Sequence, residues 1–320
     1  MSDMNAIKMI REKARKQSKT IVLSEGHDPR VRQAAQFLQK EKIVNVILLD
    51  HDHLDPKKID EYTELYYQLR QHKGISSEEA RQIASHPVFY GALMVREGLA
   101  DGFVAGAATT TPDVAKAALY CLGIDRRIAT ISSCFIMLIP DCPYGENGVF
   151  LFADCGIIPD PTTRQLAQIA ISTAELGKKV LGITPRVAML SYSTKGSATG
   201  RFVERIREAT AMLKEMVPDL AVDGELQVDA AIVPEVAKFK NPNSPIQGDA
   251  NILVFPNLEA GNISYKLVER LCGGRALGPL LMGLVKPCSD LSRGCSWEDV
   301  VDCAAVTAIR AQYEIHVENI

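Results

Sequence analysis

Short apolar runs rich in valine, isoleucine and leucine alternate with capped helical segments along nearly the whole chain. This rhythm restricts the fold more than any other feature. Residues 19–24 (KTIVLS) read as a buried strand. Asp28-Pro29 then supplies a cap and a first-turn proline, and 30–41 reads as a helix. Residues 44–49 form a second strand. Ser76-Ser-Glu-Glu79 opens a helix by the capping-box pattern. Residues 101–106 read as a strand running into Thr109-Thr-Thr-Pro112 and a helix. Such alternation implies parallel βαβ units in a doubly wound α/β sheet. It breaks between Arg127 and Ile158, where apolar runs 128–139 and 149–157 flank a strong Asn147-Gly148 hairpin signal. A domain boundary is expected here. Alternation resumes with helix 162–181, strand 186–191, helix 202–216, strand 251–255, helix 263–272, strand 277–283 and a last helix from Ser296.

With 320 residues, 47% of them apolar, the chain can bury the cores of two domains. The net charge of -3 gives no basic footprint for nucleic acid or an anionic membrane. A local positive pocket for a phosphorylated small molecule stays open. None of the eight cysteines forms a C-x-x-C pair, which argues against zinc, and reduced thiols in a cytoplasm are the default. The segment Met1–Lys8 has no apolar leader core, and no run approaches membrane-spanning length. His27, His51, His53, His72, His86 and His316 show no ligand spacing.

The densest chemistry lies in 289–299, SDLSRGCSWED. Ser296-x-x-Asp299 ahead of an apolar run opens a helix by the capping-box pattern. Gly294 allows a sharp turn before it. Ser292 and Arg293 stand just upstream, where a helix N-terminus favours an anion. The same grammar also fits a plain cap with Arg293 as a surface charge. Gly106-Ala-Ala-Thr-Thr-Thr-Pro-Asp113 joins a strand to a helix and offers free N–H groups and hydroxyls to a phosphate, including Gly106, Thr110 and Thr111; Lys116 is one turn on. Its plainer reading is a helix capped by Thr111. Residues 191–200, SYSTKGSATG, form a third loop, either a surface loop or a binding lip. Neither a P-loop nor a G-x-G-x-x-G dinucleotide fingerprint is present.

Several segments together resemble the phosphate acetyltransferase family, in its short form without N-terminal regulatory domains. They are 152–155 (FADC), 185–197 (PRVAMLSYSTKGS), 222–227 (VDGELQ), 258–266 (LEAGNISYK) and 286–296 (KPCSDLSRGCS), in order and across nearly the whole chain. The resemblance implies two α/β/α domains with an interdomain active site, similar to the isocitrate/isopropylmalate dehydrogenase architecture. The expected division is 1–128 plus 288–320, and 129–287. It implies reversible acetyl transfer between coenzyme A and phosphate, by direct attack of the thiol in a ternary complex. Asp299 would be the general base, Ser292 would hydrogen-bond at the reacting centre, and Arg293 would bind the phosphoryl group. Arg70 and Lys116 would bind coenzyme A, with lysine standing where the family usually has arginine. Ser193, Thr194, Lys195 and Gly196 would contact coenzyme A or acyl phosphate. No tightly bound cofactor or metal is implied; the partners are acetyl-CoA, phosphate, acetyl phosphate, CoA and a second copy of the chain in a homodimer.

Cys295 is a rival nucleophile, since a helix N-terminus beside Arg293 could favour its thiolate. For an ordinary carboxyl near pKa 3.9 and a thiol near 8.5, full proton transfer is uphill by roughly 6 kcal/mol. That fits beneath a barrier of roughly 13 kcal/mol, so a carboxylate base is tenable if transfer accompanies attack. The other classes are a phosphate butyryltransferase, a non-catalytic acyl-CoA sensor and a decarboxylating dehydrogenase. Intact Ser292, Arg293 and Asp299 argue against the sensor. The missing fingerprint and the lack of metal-spaced carboxylates argue against the dehydrogenase.

Overall fold

The computed structural model describes residues 3–313. The described residues divide into two compact units, one built from Met9–Asp125 with 284–313, the other from Arg126–Gly283 with 3–8. The leading elements are α1 (Asp3–Lys16), β1 (Thr20–Leu23), α2 (Pro29–Lys40), β2 (Asn45–Leu48), α3 (Pro56–Arg70), α4 (Ser77–Ala84), α5 (Pro87–Arg96), β3 (Gly102–Ala105) and α6 (Thr111–Ala117). The expected caps form. Asp28 accepts from the Arg30 N–H at 2.8 Å, and Ser76 and Glu79 close a reciprocal capping box.

The middle segment holds β4 (Ser132–Leu138), β5 (Val149–Ala153), α7 (Thr163–Leu176), β6 (Arg186–Leu190), α8 (Arg201–Met216), β7 (Ala221–Leu226), α9 (Val228–Ile232), α10 (Pro234–Lys240), β8 (Ile252–Val254), α11 (Leu258–Leu271) and β9 (Arg275–Met282). β10 (Cys288–Asp290) and α12 (Trp297–Gln312) complete the first unit. That unit orders its strands β2-β1-β3-β10, all parallel. The second orders them β9-β4-β5-β8-β6-β7. There β4 runs antiparallel to both β5 and β9, and the remaining pairs are parallel. Both units are therefore α/β, with a mixed sheet in the second.

The β4–β5 hairpin lies where the rhythm breaks, but its connection is the whole of 139–148 and not a two-residue turn. Asn147 and Gly148 still take left-handed φ values of 53° and 89°. Helix α11 starts five residues earlier than its apolar pattern indicates, because Asn257 caps it through the Ala260 N–H at 2.9 Å. Phe135 stacks on Tyr265 at 4.1 Å between ring centroids, within a core that includes Phe150, Phe152 and Phe255.

In the first unit α12 is buried along almost its full length from Val300 to Ala311. Its Asp302 is inaccessible, and Arg11 Nε of α1 donates to it at 2.7 Å. Removing one partner weakens the compensation of a buried charge. Arg11→Ala is expected to cost about 3 kcal/mol of unfolding free energy, read as a lower urea midpoint. A midpoint equal to wild type would mean that Asp302 is satisfied without Arg11.

Candidate active site

The capping box proposed from the sequence forms. Asp299 Oδ2 accepts from the Ser296 N–H at 2.9 Å, and the Asp299 N–H donates to Ser296 Oγ at 3.1 Å. Asp299 thus stands half-buried in the first turn of α12. Ser292 and Arg293 are exposed in the turn between β10 and α12. Ser292 Oγ accepts from the Gly294 N–H at 3.3 Å, which folds the turn on itself. The Arg293 guanidinium makes no hydrogen bond or ion pair with the described residues and is available to a ligand. Trp297 packs edge-on against Phe37 of α2, with ring centroids 5.2 Å apart.

The residue that holds this turn was not singled out from the sequence. Arg30, in the first turn of α2, donates from Nη1 to the carbonyls of Arg293 and Cys295, each at 2.9 Å. Its Nη2 donates to the Ala107 carbonyl and to Asp28 Oδ2, both at 2.7 Å. Nε donates to Asp28 Oδ1 at 3.1 Å. One planar fork therefore ties the Ser292–Cys295 turn to the β3–α6 loop. The only sequence signal was a run of charges at the end of β1, 25–30, which read as a helix start.

The β3–α6 loop departs from expectation. Its N–H groups are not free for phosphate, because the buried Glu25 carboxylate takes three of them. Ala107 and Thr109 each donate at 2.7 Å and Ala108 at 3.0 Å. An internal anion fills the cradle. The cap of α6 is Thr110 and not Thr111, and Thr110 Oγ1 donates to Asp113 at 2.7 Å. Lys116 is exposed and pairs with Asp113 at 3.2 Å. The Arg70 guanidinium, at the end of α3, lies over the Tyr120 ring at 3.8 Å, which orients its donors. Gly106, at φ 109°, is needed as glycine: a Cβ there would lie 2.1 Å from Asp290 Oδ1.

The loop after β6 is not a free surface loop. Ser193 and Thr194 are buried. Ser193 Oγ donates to Glu225 Oε1 at 3.1 Å, and the Gly196 N–H donates to the same oxygen at 2.8 Å. Lys195 Nζ reaches Asp223 at 2.6 Å. Burial opposes ionisation of Glu225, but the Arg207 guanidinium and the Gly196 N–H bring it down to about 2. Asp223 is likewise held well below the usual carboxylate range against its burial, by Lys195, Ser244 and Asn241. Both acids lie within β7, the strand whose charges hid it from pattern reading.

Burial pushes the Cys295 thiol up to about 11, with Arg30 only partly offsetting it. Burial thus works against the thiolate that its place before a helix would favour. Among the described residues no group of three His, Cys, Asp or Glu is placed to hold a metal ion. His316 lies outside the described residues.

Asp290, two residues before Ser292, is fully buried, and neither carboxylate oxygen has a hydrogen-bond partner among the described residues. Burial pushes it up to about 7, and the nearby Glu25 charge adds to the rise; the Thr111 hydroxyl and the Leu291 N–H lean the other way without reaching hydrogen-bonding geometry. The folded state then holds a proton that an unfolded aspartate releases near pH 3.9. Folded stability should decline as pH rises from about 4 to 7 and level off above. Asp290→Asn removes this ionisation, so its melting temperature relative to wild type should rise between pH 5 and pH 8. Parallel pH profiles for the two proteins would show that Asp290 does not titrate in this range.

Residues 5–308 match the family model described as phosphate acetyl/butaryl transferase. The phosphate acetyltransferase of Thermoanaerobacterium thermosaccharolyticum is 46% identical over 97% of this chain and 100% of its own length. Among solved structures, a phosphotransacetylase from Streptococcus pyogenes is similar with a TM-score of 0.88 and 39% identity, over 98% of this chain and 99% of that one. Another from Staphylococcus aureus gives a TM-score of 0.83 at 36% identity, over 97% and 99%. The chain belongs to the phosphate acetyl/butyryl transferase family.

Proposed function

We infer that this chain is a phosphate acetyltransferase, moving an acetyl group reversibly between coenzyme A and inorganic phosphate. The observation that carries the chemistry is the pinned turn, which holds Ser292, an unengaged Arg293 guanidinium and the Asp299 carboxylate within eight residues of one another in the chain. In the direction of acetyl-CoA synthesis the CoA sulfur attacks the carbonyl carbon of acetyl phosphate. The C–S bond forms, the thiol proton passes to Asp299, and the carbonyl–phosphate C–O bond breaks to release phosphate. Arg293 receives the phosphoryl oxygens through two parallel N–H groups. Ser292 donates to the oxygen that gains charge in the tetrahedral intermediate. The high-pKa Cys295 thiol supports direct transfer over an acyl-cysteine route.

Arg70 and Lys116 take the anionic groups of coenzyme A. With its N–H groups engaged by Glu25, the β3–α6 loop contributes the surface around Gly106, Thr110 and Thr111. Ser193, Thr194, Lys195 and Gly196 form a lip that contacts coenzyme A or acyl phosphate. The two compact units are read as the two domains, and their interrupted chain order supports a likeness to the isocitrate/isopropylmalate dehydrogenase architecture. Eight cysteines outside any disulfide suit a reducing cytoplasm. Among the described residues no helix is long and apolar enough to cross a membrane.

A homodimer is supported by α11. Ile263, Leu267 and Leu271 recur at four-residue spacing and are exposed, Leu271 by 79%. Leu267→Glu/Leu271→Glu should therefore shift the species in sedimentation velocity from dimer to monomer. A variant that sediments like wild type would move the interface elsewhere.

Asp299→Asn keeps an oxygen to accept from the Ser296 N–H, so the fold should hold while kcat falls by about two orders of magnitude or more. A folded Asn variant with near-normal thiol release from acetyl-CoA and phosphate would remove Asp299 from the chemistry. The same assay with propionyl- and butyryl-CoA separates acetyl from butyryl transfer. Cys295→Ala should retain most activity, with intersecting initial-rate lines. Parallel lines with a trapped acetylated Cys295 would establish the covalent route instead.

A further inference from the structure

A cavity of about 410 Å3 opens in the unit built around Arg126–Gly283, lined by Lys195, Lys214, Asp223, Lys240, Asn241 and Asn243 among others. Its size suits a small ligand. Three ammonium groups reach it from three elements: the loop after β6, helix α8 and the end of α10. Their internal partners do not require all three. Asp223 is satisfied at Oδ2 by Asn241 Nδ2 at 3.1 Å and Ser244 Oγ at 2.6 Å, and at Oδ1 by Lys195 Nζ at 2.6 Å. Lys214 Nζ adds a second cation to that same Oδ1 at 3.1 Å. Lys240 is matched by Asp229 at 2.8 Å and by Gln227 Oε1 at 3.0 Å. Three lysines therefore face two aspartates, and one positive charge is in surplus.

Donors are in surplus as well. Each ammonium has three N–H groups. Lys195 spends two, on Asp223 and on the Gly224 carbonyl at 3.0 Å. Lys214 spends one, and Lys240 two. The contacts leave N–H groups on all three lysines. Lys195 also stands at φ 44°, the left-handed region that residues with a Cβ seldom occupy. A surplus of charge and of point-like donors around this cavity suits a phosphate group, whose three oxygens accept from several directions; a carboxylate is better matched by an arginine fork.

We propose that this cavity is a phosphoanion site that takes a phosphate ester or diphosphate group, bound chiefly by Lys214 and Lys240 over a floor formed by Lys195 and Asp223. The group can come from the diphosphate of coenzyme A or from a free phosphoanion that acts as an effector. Isothermal titration of the full chain with inorganic pyrophosphate tests the site. Wild type, Lys214→Gln/Lys240→Gln and Lys214→Arg/Lys240→Arg are compared, each after a check of its melting temperature. The glutamine variant should lose one binding event or weaken it at least about tenfold, and the arginine variant should keep it. Wild-type affinity should fall with added salt. If the glutamine pair lowers the melting temperature, Lys214→Gln alone carries the comparison. A rise in KM for CoA in the glutamine variant would identify coenzyme A as the source; an unchanged KM would identify a free phosphoanion. Identical isotherms for wild type and the glutamine variant would overturn the proposal, as would an arginine variant that binds no better than the glutamine one. Binding is read without turnover, so a missing acetyl transfer would count against the activity assigned above and not against this site.

Discussion

The Arg30 guanidinium is the strut on which the Ser292–Cys295 turn depends. Strand β10 is three residues long, and the turn after it has little sheet structure to hold it. Two of its carbonyls, at Arg293 and Cys295, are directed onto Nη1. The other arm of the same planar group holds the Ala107 carbonyl and the Asp28 carboxylate. A lysine could not serve here, because a single ammonium cannot span acceptors on three segments in a fixed plane. Asp28 has a second task, capping α2, so the strut is anchored at the start of a helix.

A related device recurs in both units. A buried carboxylate near the end of a strand gathers the N–H groups of a neighbouring loop. Glu25 gathers Ala107, Ala108 and Thr109. Asp154 gathers Ser133, Gly156, Ile157 and Ile158, at 2.8 to 3.2 Å. Glu225 gathers Gly196 and adds the Arg207 fork at 2.9 and 3.0 Å. Unpaired backbone donors are costly when buried, and one carboxylate satisfies several at once. The loops are thereby fixed before any substrate arrives.

This device also explains where pattern reading succeeded and where it did not. Caps at Asp28, Ser76 and Ser296 are local chemistry and were legible, as were the strands with continuous Val, Ile and Leu. β7 was hidden because Asp223 and Glu225 break its apolar run, and their partners lie far away in sequence. β10 was hidden because Ser289 and Asp290 look like loop residues, although both are inaccessible. The Gly106–Asp113 loop was legible as a candidate anion cradle or a plain capped helix, but that its N–H groups are taken by Glu25, 82 positions upstream of Ala107, was not. Arg30 is a surface helix charge by every local criterion; only its contact with residues 263 and 265 positions on gives it a role.

Helix α12 has one further consequence. It is clamped along its length, with Val300, Val301, Cys303, Ala304, Ala305, Val306, Ala308 and Ile309 all at zero exposure. Its small side chains leave the neighbouring strands little room to shift. The carboxylate in its first turn is therefore mounted on a rod that cannot roll or slide without disturbing the core. A single added methylene deep in that packing, several turns from Ser292, would be transmitted as a displacement of the Asp299 oxygens. With Asp299 as the base proposed above, drift in the interior of this helix is expected to be felt as lost turnover before it is felt as lost fold.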